Sequence, residues 1–397
     1  MTASAERGTR ITILFFNLFS WLGGGEYSVY NLVKNLQPGH YRPVLLFNKS
    51  GPFSAKTKAL GIETVFIPYD IVEPKKLLSP ASLLRNFKAS LAIRRYIRDE
   101  RVDIVQCSDV LALVLLLPSL LSRRTPVIYS IIVFYGRLRS WFLNLFGLLF
   151  IKRIVSNSNA VMEDFLNKTF GLRGKTGVAY NGVDPEVFHP RSSERRMQIR
   201  RDLGIPADKK VVGFIGRFEV WKGHATFLEA ARMLLASRKD LFFLMVGGAI
   251  TEAVAPQVSL YQNDIMNRLD GMDLDGRMLM LGHRDDIPEI MASLDVYVCP
   301  SDAEPYGLVA LEAFASGVPV VASSTVGAME ILGSRKGVFI AEPFDPSSFA
   351  RRIEEALAHD HTAPQSAGVS KGNELSGEFT WRSYASTFEA CYQAAVE

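Results

Sequence analysis

Two glutamates eight positions apart, Glu304 and Glu312, lie in the stretch SDAEPYGLVALEAFASGVPVVAS at residues 301–323. Ionised carboxylates accept hydrogen bonds from hydroxyl groups. The pair could therefore hold the hydroxyls of a ribose and of a sugar ring. These two residues alone leave an alternative without a binding role: Glu304 could be a solvated loop residue and Glu312 a charge on a helix surface.

Local elements set where these carboxylates lie. The sequence predicts a strand that ends near Pro300, and a helix that begins near Gly307 and stops at Gly317, a position that suits a left-handed residue. The free amides of Leu308 and Val309 at the helix start then attract an anion. This combination favours a phosphate ester that carries many hydroxyls.

Two cations lie in GRFEVWKGH, residues 216–224. Arg217 follows a predicted strand and Lys222 precedes a predicted helix. Arginine binds phosphate oxygens in a bidentate manner and lysine adds a point charge, so the pair could bind a diphosphate and stabilise it as a leaving group. Loop cations at the surface are common, and that alternative stays open here.

A glycine run, GGGE at residues 23–26, follows the first predicted strand. Glycines let backbone approach a ligand closely, and the helix start behind them attracts anions. Residues 23–28 read GGGEYS, so the GxGxxG dinucleotide fingerprint is not met. Taken alone, this turn is a weak signal.

The elements that must position these residues form two strand–helix series. Continuous apolar runs that alternate with helical segments indicate parallel sheets covered on both faces, and ligands of such sheets bind beyond the carboxyl ends of the strands. We predict an α/β fold of two doubly wound Rossmann-like domains that face across a cleft. The predicted strands are 11–19, 41–48, 62–68, 102–108, 126–132, 151–158 and 175–182, then 211–217, 241–248, 277–283, 296–301, 318–324 and 337–341. The predicted segments are an N-terminal acceptor-binding domain 1–187, a polar, Arg-rich linker 188–209, a C-terminal donor-binding domain 210–378 with a loop-rich end at 361–378, and a helix 379–397 that packs back on the N-terminal domain.

The totals exclude several classes of protein. The 397 residues suit two domains, and Cys107, Cys299 and Cys391 are too far apart for a CxxC metal site or a disulfide framework. No apolar run reaches the ~20 residues that a membrane-spanning helix needs. We expect a cytoplasmic protein, soluble or at the inner face of a membrane.

The charge is uneven along the chain. The net charge is +4, yet residues 81–185 hold 15 Lys and Arg against 7 Asp and Glu. A basic lobe suits an anionic partner, although a solvated face is an equally good explanation. No nucleic-acid-binding motif accompanies it, so we expect no nucleic acid as partner.

Taken in order, the motifs resemble a known family. GG at Gly23 and Gly24, NGVD at 181–184, GR-x4-KG at 216–223, the E-x7-E pair and FTW at 379–381 are similar to the retaining, nucleotide-sugar-dependent glycosyltransferases of the GT-B fold. The chain thus resembles glycosyltransferase family 4, the glycosyl transferases group 1. The E-x7-E context is the specific part of the match, and the resemblance covers nearly the whole chain.

The resemblance implies a hexosyltransferase that takes sugar from a UDP-, GDP- or ADP-sugar with retention of configuration and without a metal or other cofactor. It implies a glycan or lipid-linked acceptor, in cell-surface polysaccharide or glycolipid biosynthesis. Arg217, Lys222 and Glu304 would be the catalytic residues. Arg217 and Lys222 would bind the diphosphate, Glu304 the transferred sugar, Glu312 the ribose and the backbone near Arg284 the base. The implied donor site comprises Gly23, Gly24, Gly216, Arg217, Lys222, Arg284, Glu304, Gly307, Leu308, Val309 and Glu312.

One departure leaves alternatives open. Many family members carry a histidine just after the strand that corresponds to 126–132, whereas this chain has none between His40 and His189 and has Ile132 near that position. Ser130, Tyr135 and Arg137 are the nearby polar candidates. A non-catalytic relative that binds nucleotide sugars or carbohydrates therefore remains an alternative. A phosphorylase or sugar-phosphate synthase, another enzyme class on this scaffold, is a second alternative.

Two apolar segments raise a separate question. LALVLLLPSLL at 111–121 precedes two arginines, and RLRSWFLNLFGLLFIKR at 137–153 flanks apolar residues with basic ones. Such a segment could rest on an anionic membrane and receive a lipid-linked acceptor. For 137–153 a buried helix is an equally good interpretation, and for 111–121 it is the better one.

Overall fold

The computed structural model describes residues 10–21, 23–70, 79–122, 125–248, 256–272, 274, 276–358 and 379–397. The chain divides into two compact units: the first is Met1–Gly182 with Trp381–Glu397, and the second is Val183–Thr380. The segment 361–378, predicted to be loop-rich, lies outside the described residues.

The first unit contains a parallel sheet of seven strands in the order β3-β2-β1-β4-β5-β6-β7. The strands are β1 (Ile11–Phe16), β2 (Tyr41–Phe47), β3 (Glu63–Phe66), β4 (Ile104–Cys107), β5 (Val127–Ile131), β6 (Ile151–Ser156) and β7 (Thr176–Val178). Its helices up to residue 182 are α1 (Gly24–Asn35), α2 (Pro52–Ala59), α3 (Pro80–Asp99), α4 (Val110–Ser122), α5 (Arg137–Leu149) and α6 (Asn159–Leu166). The central strands β4 and β5 are buried along their whole length, as expected for a sheet with helices on both faces.

The second unit contains a parallel sheet of six strands in the order β10-β9-β8-β11-β12-β13. The strands are β8 (Lys210–Ile215), β9 (Leu241–Val246), β10 (Met278–Met280), β11 (Val296–Cys299), β12 (Val320–Ser323) and β13 (Val338–Ala341). The helices are α7 (Ser193–Asp202), α8 (His224–Ser237), α9 (Pro256–Asp270), α10 (Ile287–Ser293), α11 (Leu308–Ala315), α12 (Met329–Leu332) and α13 (Pro346–Ala358). Phe214, Phe227 and Phe243 lie at the centre of its core.

Both sheets are doubly wound, and each predicted strand overlaps an observed one. The strand order reverses between β1 and β4 in the first sheet and between β8 and β11 in the second. Loops that leave the carboxyl ends of the two strands at such a switch point diverge and leave a crevice for a ligand. The candidate motifs at 216–224 and 301–312 follow β8 and β11, so the fold brings them to one switch point.

Residues 188–209 are not a linker in the structure, contrary to the sequence prediction. They belong to the second unit and contain α7, which packs against α10. Arg196 and Arg200 of α7 each contact Asp295 at 2.8 Å. Because Asp295 is only 7% exposed, the arginines that read as a polar connection are anchored at a buried carboxylate.

The C-terminal helix α14 (Trp381–Val396) belongs to the first unit and packs against α1, β4 and β6. Its buried Glu389 accepts a hydrogen bond from the amide of Gln37 at 2.6 Å and forms an ion pair with Arg382 at 2.6 Å. The buried Tyr392 hydroxyl donates to Gln106 of β4. These contacts attach the end of the chain to the sheet formed by its beginning.

Candidate functional site

Backbone contact joins the loops after β8 and β11. Gly223 has a φ of 78°, and a Cβ built on it would lie 2.1 Å from the carbonyl oxygen of Pro300. The amide of Asp302 donates to the carbonyl of Trp221 at 2.9 Å. A glycine is thus required at 223 both for its conformation and for the close approach. This contact fixes the position of Lys222 relative to Glu304.

The ammonium of Lys222 forms an ion pair with the carboxylate of Glu304. The two side chains are 15% and 10% exposed, and Ser301 Oγ donates to the same carboxylate at 3.4 Å. Lys222 Nζ also lies 4.3 Å from the ring centroid of Trp221. Desolvation of two charges offsets much of their attraction, so such a pair is weak support for stability. Its position at the switch point suggests a binding role for both residues.

The start of α11 lies beside Glu304. Gly307 caps the helix with a φ of 91°, and a Cβ there would lie 3.2 Å from Glu304 Cγ and 2.6 Å from Val326 Cγ1. The amides of Leu308 and Val309 donate no hydrogen bond to another described residue. The structure therefore places two free amides of a helix start next to the Lys222–Glu304 pair. The predicted helix stop is confirmed as well, since Gly317 has a φ of 74°.

Glu312 lies one turn further along α11 and is partly buried. Burial raises the pKa of its carboxyl from 4.5 to about 7. Within the described ranges, no ion pair or side-chain hydrogen bond compensates this carboxylate. Tyr297 is electrostatically coupled to Glu304 and Glu312: burial is the main cause of its raised pKa, and both carboxylates add to it. The carboxylates of Glu304 and Glu312 therefore both lie close enough to Tyr297 of β11 to interact with it electrostatically.

Arg217 and Gly216 follow β8. Arg217 Nη1 lies 3.1 Å from Glu219 Oε1, and the arginine side chain is 42% exposed. A Cβ built on Gly216 would lie 3.7 Å from Lys222 Cδ, so the aliphatic part of the lysine crosses this glycine. Sequence reasoning missed Glu219, although it stands within the motif GRFEVWKGH. Arg217 reaches a ligand only by exchanging this carboxylate or by sharing its guanidinium.

Arg284 follows β10 in a neighbouring loop. The amide of Gly247 donates to the carbonyl of Gly282 at 2.8 Å, and a Cβ on Gly247 would lie 1.8 Å from the carbonyl oxygen of Gly216. The loops after β8, β9 and β10 are therefore in backbone contact. The guanidinium of Arg284 forms a bidentate bond with Asp286 at 2.8 and 2.6 Å, which raises the arginine pKa. Sequence reasoning also missed Asp286. Because Asp286 binds the guanidinium of Arg284, the backbone near Arg284 is the group available to a ligand.

Solved structures share this architecture along almost the whole chain. A Rickettsia africae glycosyltransferase superimposes with a TM-score of 0.81 at 19% identity, over 98% of this chain and 99% of that one. The Anabaena protein HepE, in complex with UDP and glucose, gives 0.80 at 22% identity, over 97% and 100%. At these identities the likeness establishes the fold.

Two family models match consecutive parts of the sequence. Glycosyltransferase Family 4 matches residues 22–187, and Glycosyl transferases group 1 matches residues 195–368. Between them they span most of both units. The chain belongs to the GT-B glycosyltransferases.

Curated relatives of this GT-B chain cover part of it. A D-inositol 3-phosphate glycosyltransferase of Corynebacterium diphtheriae is 33% identical over 246 residues, which are 61% of this chain and 56% of that protein. Spore coat protein SA of Bacillus subtilis is 26% identical over 256 residues, 61% of this chain and 65% of that protein. The chain thus matches less than two thirds of the length of either relative.

The glycine turn of this GT-B chain lies in the first unit. The amide of Gly23 donates to Glu26 Oε2 at 3.0 Å, so α1 begins with a glutamate folded over its own start. A Cβ on Gly24 would meet nothing within 4 Å, whereas one on Gly25 would lie 2.4 Å from Ile132 Cδ1. The residue near the position of the family's histidine therefore packs on the glycine turn.

Polar candidates near Ile132 have structural partners. Gln106 donates to Ser130 Oγ at 3.2 Å, and the buried Tyr135 hydroxyl donates to the carbonyl of Ser108 at 3.0 Å. Asp109, which sequence reasoning missed, follows β4 at the first switch point, and burial raises the pKa of its carboxyl. The sequence signal was an acid directly after the predicted strand 102–108. Asp109 is a candidate site residue of the first unit on these grounds.

His224 is excluded as an acid–base group at the second switch point. It is fully buried at the start of α8, stacked on Phe218 at a centroid distance of 4.6 Å, and burial lowers its pKa to about 3. It therefore stays neutral at physiological pH as part of an aromatic cluster. Among the described residues, no three His, Cys, Asp or Glu side chains are close enough to hold a metal ion.

Proposed function

We propose that this protein is a retaining hexosyltransferase that transfers sugar from a nucleotide diphosphate sugar to a glycan or lipid-linked acceptor in cell-surface polysaccharide or glycolipid biosynthesis. One observation carries the proposal. The Lys222–Glu304 pair stands against the free amides of Leu308 and Val309 at the switch point of the second sheet. A cation and a helix start suit a diphosphate, and a nearby carboxylate suits sugar hydroxyls.

In this proposal the donor replaces the internal ion pair. The diphosphate takes the ammonium of Lys222, the guanidinium of Arg217 and the amides of α11. Glu304, released from the lysine, accepts hydrogen bonds from the hydroxyls of the transferred sugar. Both charged groups exchange one partner for another, so neither is left buried and alone.

The nucleoside end of the donor follows the remaining residues. Glu312 accepts the ribose hydroxyls, and the backbone near Arg284 contacts the base, because its side chain is bound to Asp286. Backbone groups offer donors and acceptors without a fixed side-chain code. The base is therefore the part of the donor on which the present residues put the least constraint.

Bond cleavage places negative charge on the departing diphosphate. The bond between the anomeric carbon and the phosphate oxygen breaks, the acceptor hydroxyl attacks the same face, and its proton passes to the leaving phosphate. Arg217, Lys222 and the start of α11 stabilise the departing charge, each donor by ~3 kcal/mol. No side chain of the first unit has to serve as base, which agrees with isoleucine at position 132.

A binding and turnover experiment tests this function. UDP, GDP, ADP and their sugars are screened by thermal shift and calorimetry, since a ligand of the folded state raises its melting temperature. Lys222→Ala and Glu304→Gln should each reduce donor turnover about 100-fold or more. Arg232→Ala, which breaks an exposed pair with Glu229 on α8, is the control and should leave turnover unchanged.

The alternatives predict different outcomes. A non-catalytic relative, which the missing histidine suggests, would bind nucleotide sugars without hydrolysing or transferring them even over long incubations. A phosphorylase or sugar-phosphate synthase would depend on orthophosphate or a sugar phosphate as acceptor. If none of the three nucleoside diphosphates and none of their sugars binds to the folded protein, the proposed donor site is wrong.

A further inference from the structure

Helix α5 exposes most of its large apolar side chains. The face toward the first unit carries the buried Ser140, Asn144 and Gly147 together with Leu143 and Phe146. The outward face consists of apolar side chains, whose exposed fractions are 69% for Leu138, 57% for Trp141, 41% for Phe142, 45% for Leu145, 40% for Leu148 and 64% for Leu149. We call these six residues the α5 face.

Packing explains why the small and polar residues point inward. A Cβ on Gly147 would lie 2.9 Å from Leu172 Cδ1, so a larger residue would have to displace this leucine and the close approach suits glycine. The side-chain oxygen of Asn144 accepts a hydrogen bond from the amide of Phe170 at 2.8 Å. The rotation of α5 is thus fixed by these contacts, and the outward direction of the α5 face is a property of the fold.

A contiguous apolar surface of this kind is uncommon on a soluble protein and marks an interaction site. The neighbouring α4 has two further exposed apolar side chains, Val114 at 49% and Leu121 at 70%, and Phe170, whose amide bonds Asn144, is 69% exposed. None of the described helices is long and apolar enough to span a bilayer. A helix with this face would therefore lie in a membrane surface and not cross it.

Charge identifies the partner. Residues 110–162 contain six lysines and arginines and no aspartate or glutamate. Arg137 and Arg139 are exposed at the start of α5, and Lys152 is exposed just after its end. The next acids along the chain are engaged, Glu163 by Arg173 and Asp164 by Lys168. The preceding acid, the Asp109 carboxylate, interacts electrostatically with Arg139, whereas Arg137 and Lys152 form no ion pair with another described residue. An aliphatic and aromatic face flanked by exposed cations complements an anionic lipid surface.

We propose that the first unit docks on an anionic bilayer through α5, with the α5 face among the acyl chains and Arg137, Arg139 and Lys152 at the headgroups. A tryptophan within the face suits the boundary between the two layers. The loop 132–136 joins β5 to α5, so the helix starts from the carboxyl edge of the first sheet. For a lipid-linked acceptor, a point that rests on the proposed function, docking brings the membrane to that edge.

Vesicle binding of the full chain tests the inference. Sedimentation with vesicles of phosphatidylglycerol mixed with phosphatidylcholine is compared with phosphatidylcholine alone. Leu138→Glu should weaken partitioning about 10- to 100-fold, because an apolar side chain no longer leaves water. Arg137→Gln with Arg139→Gln should weaken it about fivefold for each arginine at low salt, with little effect at ~1 M salt.

A matched control comes from the second unit. Leu260 on α9 is 68% exposed, nearly the same as Leu138, so Leu260→Glu makes the same chemical change away from α5. It should bind vesicles like the unaltered protein. Nucleoside diphosphate binding by Leu138→Glu should also be unchanged, which shows that the variant is folded. If vesicles bind but nucleoside diphosphates do not, the docking inference stands and the proposed function falls.

Three results would overturn the inference. The first is equal loss of vesicle binding in Leu138→Glu and Leu260→Glu, and the second is equal binding to charged and neutral vesicles. The third is a dimer in analytical ultracentrifugation without lipid that Leu138→Glu dissociates, because the α5 face would then be covered by a second copy of the chain.

Discussion

Substitution of Glu312 by glutamine should stabilise the second unit and weaken the binding of its proposed ligand. The carboxyl of Glu312 has a folded pKa of about 7 against 4.5 for the ordinary group, and burial is the cause. Because the folded pKa is raised, the folded state binds the proton more tightly than the unfolded state. Its contribution to stability is present below pH ~4.5 and is lost as pH rises through ~7.

The magnitude follows from this rise in pKa. Each pKa unit corresponds to about 1.4 kcal/mol, so the free energy of unfolding falls by about 3 kcal/mol between acid and pH ~8. Glutamine carries no charge and avoids this loss. For a unit of this size, ~3 kcal/mol corresponds to a rise in melting temperature of roughly 6–12 °C at pH ~8, and to much less at pH ~5.

Calorimetric melting of Glu312→Gln and the unaltered protein at both pH values measures this difference. Glu354→Gln, on the exposed face of α13, is the control for loss of a glutamate from the same unit. Nucleoside diphosphate affinity gives a second readout. Between pH ~6 and pH ~8 the ionised fraction of Glu312 rises about tenfold, and affinity should rise with it in the unaltered protein. The phosphate's own titration appears in both proteins, so only the difference between them counts.

Equal stabilisation by Glu312→Gln at the two pH values would refute the reasoning, because the cost would then not come from an ionised carboxylate. An unchanged pH dependence of affinity in Glu312→Gln would remove this residue from the ribose site and leave the stability argument intact.

Two further predictions concern the framework of the second unit. Gly223→Ala should cost 2 kcal/mol or more by thermal melting and also abolish donor binding, because its Cβ would meet the Pro300 carbonyl at 2.1 Å. Gly276 has a φ of 64° with no atom within 4 Å of a new Cβ, so Gly276→Ala is the control and should cost only about 1 kcal/mol. Equal losses of stability in the two variants would contradict the proposed clash at Gly223. Asp295→Asn should cost about 3–5 kcal/mol and expose α7 first to hydrogen exchange, since two arginines lose their buried partner; unchanged exchange in α7 would show that packing alone holds the helix.

The sequence predicted the strands and the switch points because both depend on patterns with few solutions. A buried parallel strand reads as an unbroken apolar run, and alternation with helices leaves little choice but a doubly wound sheet. The glycine at the end of α11 was predictable for the same reason: Gly317 has a positive φ, whereas the positive φ of Gly307 at the helix start was not predicted. The candidate residues at 216–224 and 301–312 then had to meet at one end of the sheet.

Partners and burial were not predictable, because they depend on side-chain positions. Glu219 forms an ion pair with Arg217, and Asp286 forms one with Arg284. Nothing in the sequence spacing of these two acids distinguishes them from solvated acids. From the sequence the arginines of α7 were interpreted as part of a linker, whereas in the structure Arg196 and Arg200 pair with the buried Asp295. For α5, the composition fits a buried helix and an interfacial helix equally well; only its rotation, fixed by Asn144 and Gly147, shows which face is outside.

The two proposed cations of the donor site share one electrostatic feature with Arg284, whose backbone is proposed to contact the base. Lys222, Arg217 and Arg284 are each paired with a carboxylate of the same unit. A bare anion that takes the ammonium of Lys222 leaves Glu304 without its cationic partner, which is costly because both side chains are largely buried. A nucleotide sugar supplies the anion and the hydroxyls together, so that the lysine and Glu304 are both satisfied after the exchange. Such an arrangement discriminates against free phosphate and pyrophosphate without any residue devoted to excluding them, and it does so because the site is neutral before the ligand enters.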